Sequence, residues 1–106
     1  MNDAFPHTVT FQTYTKVSDD GGGYEKKWVD VITIEAFVDP LSGTQLYQAM
    51  QQKNPVNMRL YYPFQEGITS DMRVIWMDRD EILEIQSKPI DQGGQGEIYR
   101  IECLLP

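Results

Sequence analysis

An all-β fold, a small β-barrel of about six strands, is predicted by three observations on this 106-residue chain. Six short runs alternate apolar and polar residues with period two, or stay apolar at strand length. Clusters of Gly, Pro, Asn and Asp separate those runs with turn chemistry. One inserted segment, at about 42–54, breaks the β pattern and reads as a long loop or a short helix. A sandwich and a barrel both satisfy the strand signals. The barrel is favoured, because closure removes exposed sheet edges in so short a chain.

Thr8-Val9-Thr10-Phe11-Gln12-Thr13-Tyr14 opens the series, with Val9 and Phe11 on one face. Ser18-Asp19-Asp20-Gly21-Gly22-Gly23 then reads as the flexible tip of a hairpin, and Tyr24 to Val31 as its return strand. Residues 27–38 form the longest β-prone stretch. Within it Ile32, Ile34, Ala36 and Val38 share one face, and Thr33, Glu35 and Phe37 the other. Met58-Arg59-Leu60-Tyr61-Tyr62 alternates until Pro63, and Met72 to Met77 is nearly continuous, as in a central strand. Asp78-Arg79-Asp80 turns tightly into Glu81-Ile82-Leu83-Glu84-Ile85. The last strand is Ile98 to Leu104, with Arg100 and Glu102 facing away from Tyr99, Ile101 and Cys103. The predicted core is Val9, Phe11, Trp28, Ile34, Ala36, Val38, Leu60, Val74, Trp76, Leu83, Ile85, Ile101 and Cys103.

The inserted segment runs Ser42-Gly43-Thr44-Gln45-Leu46-Tyr47-Gln48-Ala49-Met50-Gln51-Gln52-Lys53. It is rich in helix formers and has no β-branched run. Ser42 and Gln45 have capping-box spacing. Leu46 and Met50, four apart, would meet on one helical face. Asn54-Pro55 is a stop signal. The residues alone are accounted for by a short helix plugging one end of the barrel, although insertions of this length are often functional.

Composition bounds the function. Hydrophobic residues make up 41% and charged residues 24%, as in a folded single domain spanning 1–106. The net charge is −7, the opposite sign to that of a typical nucleic-acid binder. Cys103 is the only cysteine, so no intramolecular disulfide forms. No apolar run reaches the roughly 20 residues of a membrane span. The N-terminus lacks the basic and apolar regions of a signal peptide, which implies a cytoplasm-like site of synthesis or assembly.

Catalytic chemistry finds no support. His7 stands before the first strand without a second ligand at metal spacing, and reads as a surface histidine. Cys103 alternates into the core face and reads as a small buried hydrophobe. Asp78, Asp80 and Glu81 lack the glycine and distal glutamate of a calcium loop. Gly21-Gly22-Gly23 and Gly93-Gly94-Gln95-Gly96 open no helix and precede no Lys-Ser/Thr, so they are loop tips, not phosphate cradles. No enzyme, cofactor or metal is expected. A single-strand-binding barrel of the OB type remains open. It would stack bases on Tyr47, Tyr61, Tyr62, Phe64 and Tyr99, but its basic groove is doubtful with nine scattered lysines and arginines.

Four pieces, in order, carry a family resemblance across about Val9 to Leu104. They are the Gly-rich tip running into Trp28-Val29-Asp30, and Ala36-Phe37-Val38 with Pro40 and Leu41-Ser42-Gly43. A polar Tyr/Gln-rich loop then ends in Asn54-Pro55 and Met58 to Tyr62, and Met72 to Trp76 pairs with Ile82 to Ile85. In this order the chain resembles the head–tail joining proteins of long-tailed bacteriophages, and looks most like their head-closure, or stopper, members.

The resemblance implies a structural virion protein at the head–tail interface, made in the host cytoplasm. It implies a ring of twelve copies beneath an adaptor protein ring, with the portal reached indirectly and a tail protein docked below. The long loop would enter the channel and close the exit, retaining packaged double-stranded DNA without sequence specificity. A tail-side joining or terminator role shares the same frame. The gate loop then maps to about 41–57, with Gln45, Tyr47, Gln48, Met50, Gln51, Gln52 and Asn54 as gating residues. Uncharged amides donate and accept equally, so many copies can crowd at one axis. Lys53 would point away from that axis or toward DNA. The N-terminal arm and the hairpin residues Tyr24, Lys26 and Lys27 would contact the adaptor or a neighbouring subunit. The free chain should be a monomer with a mobile loop, ordered only by its neighbours.

Overall fold

A computed structural model describes residues 4–106; Met1, Asn2 and Asp3 of the expected N-terminal arm lie outside the described residues. The elements in order are β1 (His7–Ser18), β2 (Tyr24–Pro40), α1 (Gly43–Met50), β3 (Met58–Pro63), β4 (Arg73–Trp76), β5 (Glu81–Ile85), β6 (Ile90–Gln92) and β7 (Ile98–Leu104). Every pairing is antiparallel. The sheet order is β3-β2-β1-β4-β5-β7-β6, and β3 also pairs with β7, so the sheet closes on itself. The predicted barrel is therefore the fold.

Closure uses six strands, in line with the expected count, and a seventh short strand, β6, adds to β7. β3 occupies one edge of β7 along Ile98 to Cys103, while β5 and β6 share the other. Gln86 to Pro89 interrupts what would otherwise be one strand. The Gln86 N–H still donates to the Glu102 carbonyl at 2.7 Å, and the Glu102 N–H donates to Ser87 Oγ at 3.0 Å. Pro89 has no N–H to offer, and a proline breaks a ladder at such a point. The result is three residues of strand that alternation analysis cannot see.

The core is built from inward positions of all six barrel strands. Val9, Phe11, Ala36, Leu60, Val74, Leu83, Ile101 and Cys103 are fully excluded from solvent, and Val38, Tyr62 and Trp76 nearly so. Phe11 meets Tyr62 edge-on at 5.8 Å between centroids, a favoured aromatic geometry. Ile34 and Ile85 are half-buried at the rim and pack against this cluster. Burial pushes the Cys103 thiol up to about 12, with the Glu102 charge adding to it, as expected of a packing residue rather than a nucleophile.

Trp28 is the main correction to the predicted core. β1 and β2 pair as Phe11↔Ile32 and then Gln12↔Asp30, which leaves Val31 as the extra residue of a β-bulge. A bulge shifts side-chain parity, so residues before it swap faces. Ile32, Ile34, Ala36 and Val38 point inward, whereas Asp30 and Trp28 lie outside, opposite Gln12 and Tyr14. Trp28 is half-buried between Tyr14, at 5.2 Å, and the Arg73 guanidinium, at 4.4 Å.

Beyond the bulge the hairpin leaves the barrel. β4 covers β1 only from Val9 to Gln12, so Thr13–Ser18 and Tyr24–Val29 project as a two-stranded ribbon. The radius of gyration is 15.1 Å, against about 13 Å for a compact chain of this length. Arg73 braces the ribbon's base: its Nε donates to Gln12 Oε1 at 2.8 Å, and Gln12 Nε2 donates to Asp30 Oδ1 at 2.7 Å.

The two glycine-rich tips are organised rather than plain flexible turns. Asp19 Oδ1 accepts from the N–H groups of Gly21 and Gly23, at 2.9 and 3.0 Å. These bonds hold the Asp19 carboxyl below the usual carboxylate range. Gly22, at φ +86°, supplies the left-handed step that the turn needs. In the β6–β7 turn the Asp91 carboxylate does the same work, accepting from the Gly96 N–H.

Candidate functional site

The inserted segment forms an arm. Strands β2 and β3 stay paired to the edge of the barrel, where β2 ends at Pro40 opposite Met58, the first residue of β3. Between them the Leu41 N–H donates to the Asn57 carbonyl at 3.0 Å, which closes the arm at its root. The Asn57 side chain fixes that root to the chain's end: its Nδ2 donates to the Leu105 carbonyl at 2.9 Å, and its Oδ1 accepts from the Leu105 N–H at 2.8 Å. The Asn57 N–H donates to the Cys103 carbonyl at 3.1 Å. One asparagine thus imitates a further rung of ladder where β3 and β7 stop.

The helix α1 sits on this root and nowhere else. Leu46 and Ala49 pack on Leu41 and Val56 in a small apolar cluster separate from the barrel core. Among the described residues no strand packs against α1, so the helix does not plug the barrel end. The buried stripe is Leu46 with Ala49, three apart, not Leu46 with Met50, which stays 44% exposed. The spacing of Ser42 and Gln45 does not produce a cap either, since Ser42 makes no side-chain cap bond. With no acid in the first turn and no base in the last, α1 is eight residues held by this small cluster and by the Val56 N–H, which donates to the Ala49 carbonyl at 3.3 Å. Helices of that length are marginal on their own.

All seven predicted gating residues are exposed. Gln45, Tyr47, Gln48 and Met50 lie on α1, and Gln51, Gln52 and Asn54 follow in its C-terminal turn and the return segment. Tyr47 is 66% exposed and presents an amphipathic ring to solvent. Lys53 is exposed at the same end of the arm. The arm therefore presents amides, one aromatic, one thioether and the Lys53 ammonium, and no carboxylate.

The second predicted group is divided by the structure. Tyr24 and Lys26 lie on the ribbon face that also holds Tyr14, Lys16 and Trp28, by their cross-strand pairing. Lys27 lies on the opposite face, where its Nζ pairs with Glu25 at 3.0 Å. All three are exposed.

The aromatics proposed as a base-stacking platform do not gather on one exposed face. Tyr62 is buried against Phe11 and Tyr99, and desolvation first, then the neighbouring Tyr99 and Cys103, pushes its phenol up to about 12. Tyr61 stacks on Phe37 at 6.1 Å, and Phe64 leans on Tyr99. His7 is likewise not a plain surface histidine. It is half-buried, edge-on to Trp76 at 5.3 Å, and its Nδ1 accepts from the Val38 N–H at 3.0 Å. Sequence reasoning also missed Asn57, though its place just before an alternating strand was a usable signal. Among the described residues no three His, Cys, Asp or Glu side chains gather as a metal site, and no helix is long and apolar enough to cross a membrane.

The model of the phage head completion protein family matches residues 3–106. The head completion protein gp16 of Bacillus phage SPP1 is 38% identical over 102 residues, covering 96% of this chain and 92% of that protein. The solution structure of protein SF1141 from Shigella flexneri 2a superposes with a TM-score of 0.73 at 20% identity, over 97% of this chain and 95% of that one. A chain from the virion of a native gene transfer agent particle superposes with a TM-score of 0.61 at 10% identity, over 99% of this chain and all of that one. The last two likenesses are of fold.

Proposed function

The chain belongs to the phage head completion protein family, and from that membership we propose that it closes the DNA exit of a filled phage head. As a head completion protein it is a structural virion component. In the proposed reading, copies form a ring of twelve beneath the adaptor ring and offer the tail its docking face. The arm over 41–57 lies across the channel and retains the packaged duplex.

The observation that carries this reading is the arm. It is rooted firmly at Asn57, carries seven exposed gating candidates, and its helix is held to the root by one small apolar cluster and one backbone bond from Val56 to Ala49. A segment so weakly bound to its own domain can be re-ordered by neighbouring copies at small cost. Amides from several copies can pair with one another, and Tyr47 and Met50 supply apolar contact. The net charge of −7 per copy suits a conduit that must not hold DNA as it passes. No carboxylate or catalytic group stands on the arm, and the function needs none.

The test is DNA retention in particles that lack this protein, with and without purified protein added back. Full heads should leak nuclease-sensitive DNA, and the added protein should prevent the leak. Tyr47→Ala, or deletion of 44–53, should leave the barrel folded and fail to rescue. If heads keep their DNA without this protein, gating is lost as an account and a tail-side joining role replaces it.

A further inference from the structure

Lys16 and Lys26 are direct cross-strand partners on the projecting ribbon. Side chains so placed stand about 5 Å apart at Cβ, and like charges at that spacing destabilise a ladder. Both are exposed, so water screens the repulsion without abolishing it. Neither forms an ion pair among the described residues, whose two salt bridges are Lys27–Glu25 and Arg100–Glu102. The ribbon thus neutralises Lys27 on one face and leaves two lysines opposed on the other.

Their surroundings are those of a binding surface. Tyr14, 51% exposed, and Trp28 lie on the barrel side of the lysine pair, and Tyr24, 73% exposed, on the tip side. Lys26 Nζ stands 6.0 Å from the Tyr14 ring centroid, and Arg73 braces Trp28 from beneath. Rigid aromatic rings flanking cations supply contact area at small entropic cost. A like-charge pair that no carboxylate neutralises, and that only the Tyr14 ring compensates on one side, marks a place where function overrides stability.

Resting on the head-closure reading above, we propose that the Tyr14/Lys16/Tyr24/Lys26/Trp28 face binds a short acidic segment of a neighbouring connector protein. One or two carboxylates sit between the two ammonium groups, and adjoining apolar side chains lie on the rings. The anion is short because the lysine pair is bounded along the ribbon by Asp19 and Asp20 at the tip and by Asp30 at the base. A long polyanion such as duplex DNA would meet carboxylates at both ends, on a chain whose net charge already repels it.

Lys16→Glu separates this idea from misfolding. It converts the opposed lysines into an opposite-charge cross-strand pair, so the free protein should be as stable as the parent or more so. Yet its binding to full heads that lack this protein should fall about tenfold, and the parent's binding should weaken with salt. Lys88→Glu, the same charge change at an exposed site away from the ribbon and the arm, should bind within about twofold of the parent. If the parent itself fails to bind such heads, the head-closure reading falls. If the parent binds and Lys16→Glu binds equally well, the acidic-segment proposal alone is overturned. As a direct probe, an Asp/Glu-rich peptide should change Trp28 fluorescence in the parent and not in Lys16→Glu. A response to a short DNA duplex and none to the peptide would overturn the proposal in favour of nucleic acid.

Discussion

Asn57→Ala is the sharpest test of how the arm is anchored. The substitution removes both side-chain bonds to Leu105, at 2.9 and 2.8 Å, and leaves that residue's N–H and carbonyl without protein partners. The backbone bonds from Asn57 to Cys103 and from Leu41 to Asn57 need no side chain and survive. Each lost bond is worth about 1 kcal/mol net, because the half-buried Leu105 groups regain water as partners. The sum of about 2 kcal/mol corresponds to a fall in Tm of roughly 10 °C for a domain of this size. Thermal unfolding followed by circular dichroism reads that fall, and hydrogen exchange at the Leu105 amide reads its local cause. A Tm within about 2 °C of the parent, with the Leu105 amide still protected, would refute the claim that this asparagine completes the ladder.

Arg73→Ala should cost about 1–2 kcal/mol by removing the bond to Gln12 and the guanidinium over Trp28, with a shift in tryptophan emission as its local sign. Deletion of Val31 should be tolerated, because Phe11↔Ile32 and Gln12↔Asp30 remain adjacent pairs, whereas deletion of Ile34 should turn core residues outward and abolish cooperative unfolding. The Asp19 carboxyl lies below its unfolded value, so its contribution to the tip is present above the ordinary carboxylate range and lost as pH falls through the folded value. Amide shifts of Gly21 and Gly23 should therefore move only in acid, and Asp19→Asn should abolish that titration. Cys103 lies above its unfolded value, so stability is full below pH 9.0 and declines as pH rises toward about 12. The thiol should resist alkylation at pH 8 until the protein is unfolded.

The barrel was legible in the sequence because inward and outward residues alternate with period two wherever one face is buried. Val9 with Phe11, Leu60 with Tyr62, and Ile101 with Cys103 follow that rule without exception. The place of the arm was legible too, since Leu41 to Asn57 lacks any such alternation, follows Pro40 and carries Pro55 near its end. Trp28 was misplaced because the same rule was carried across Val31. The warning lay in Asp30, a charge at what parity would make an inward position between Trp28 and Ile32. β6 was missed because three residues are too few to show a period, and their only partner, β7, is supplied from elsewhere in the chain.

By itself, then, the sequence determined which residues could be buried together, how many strands the barrel needs, and where the chain departs from it. These are local matters, fixed by polarity and spacing along a few residues. The tertiary structure decided which strand edges meet, how β3 and β7 close the barrel, and that the hairpin leaves it at a bulge. It also decided that α1 rests on its own root rather than in the barrel mouth, and that Lys16 faces Lys26. Those depend on register between residues far apart in the chain, and a one-residue change of register exchanges the two faces of a strand without altering its pattern.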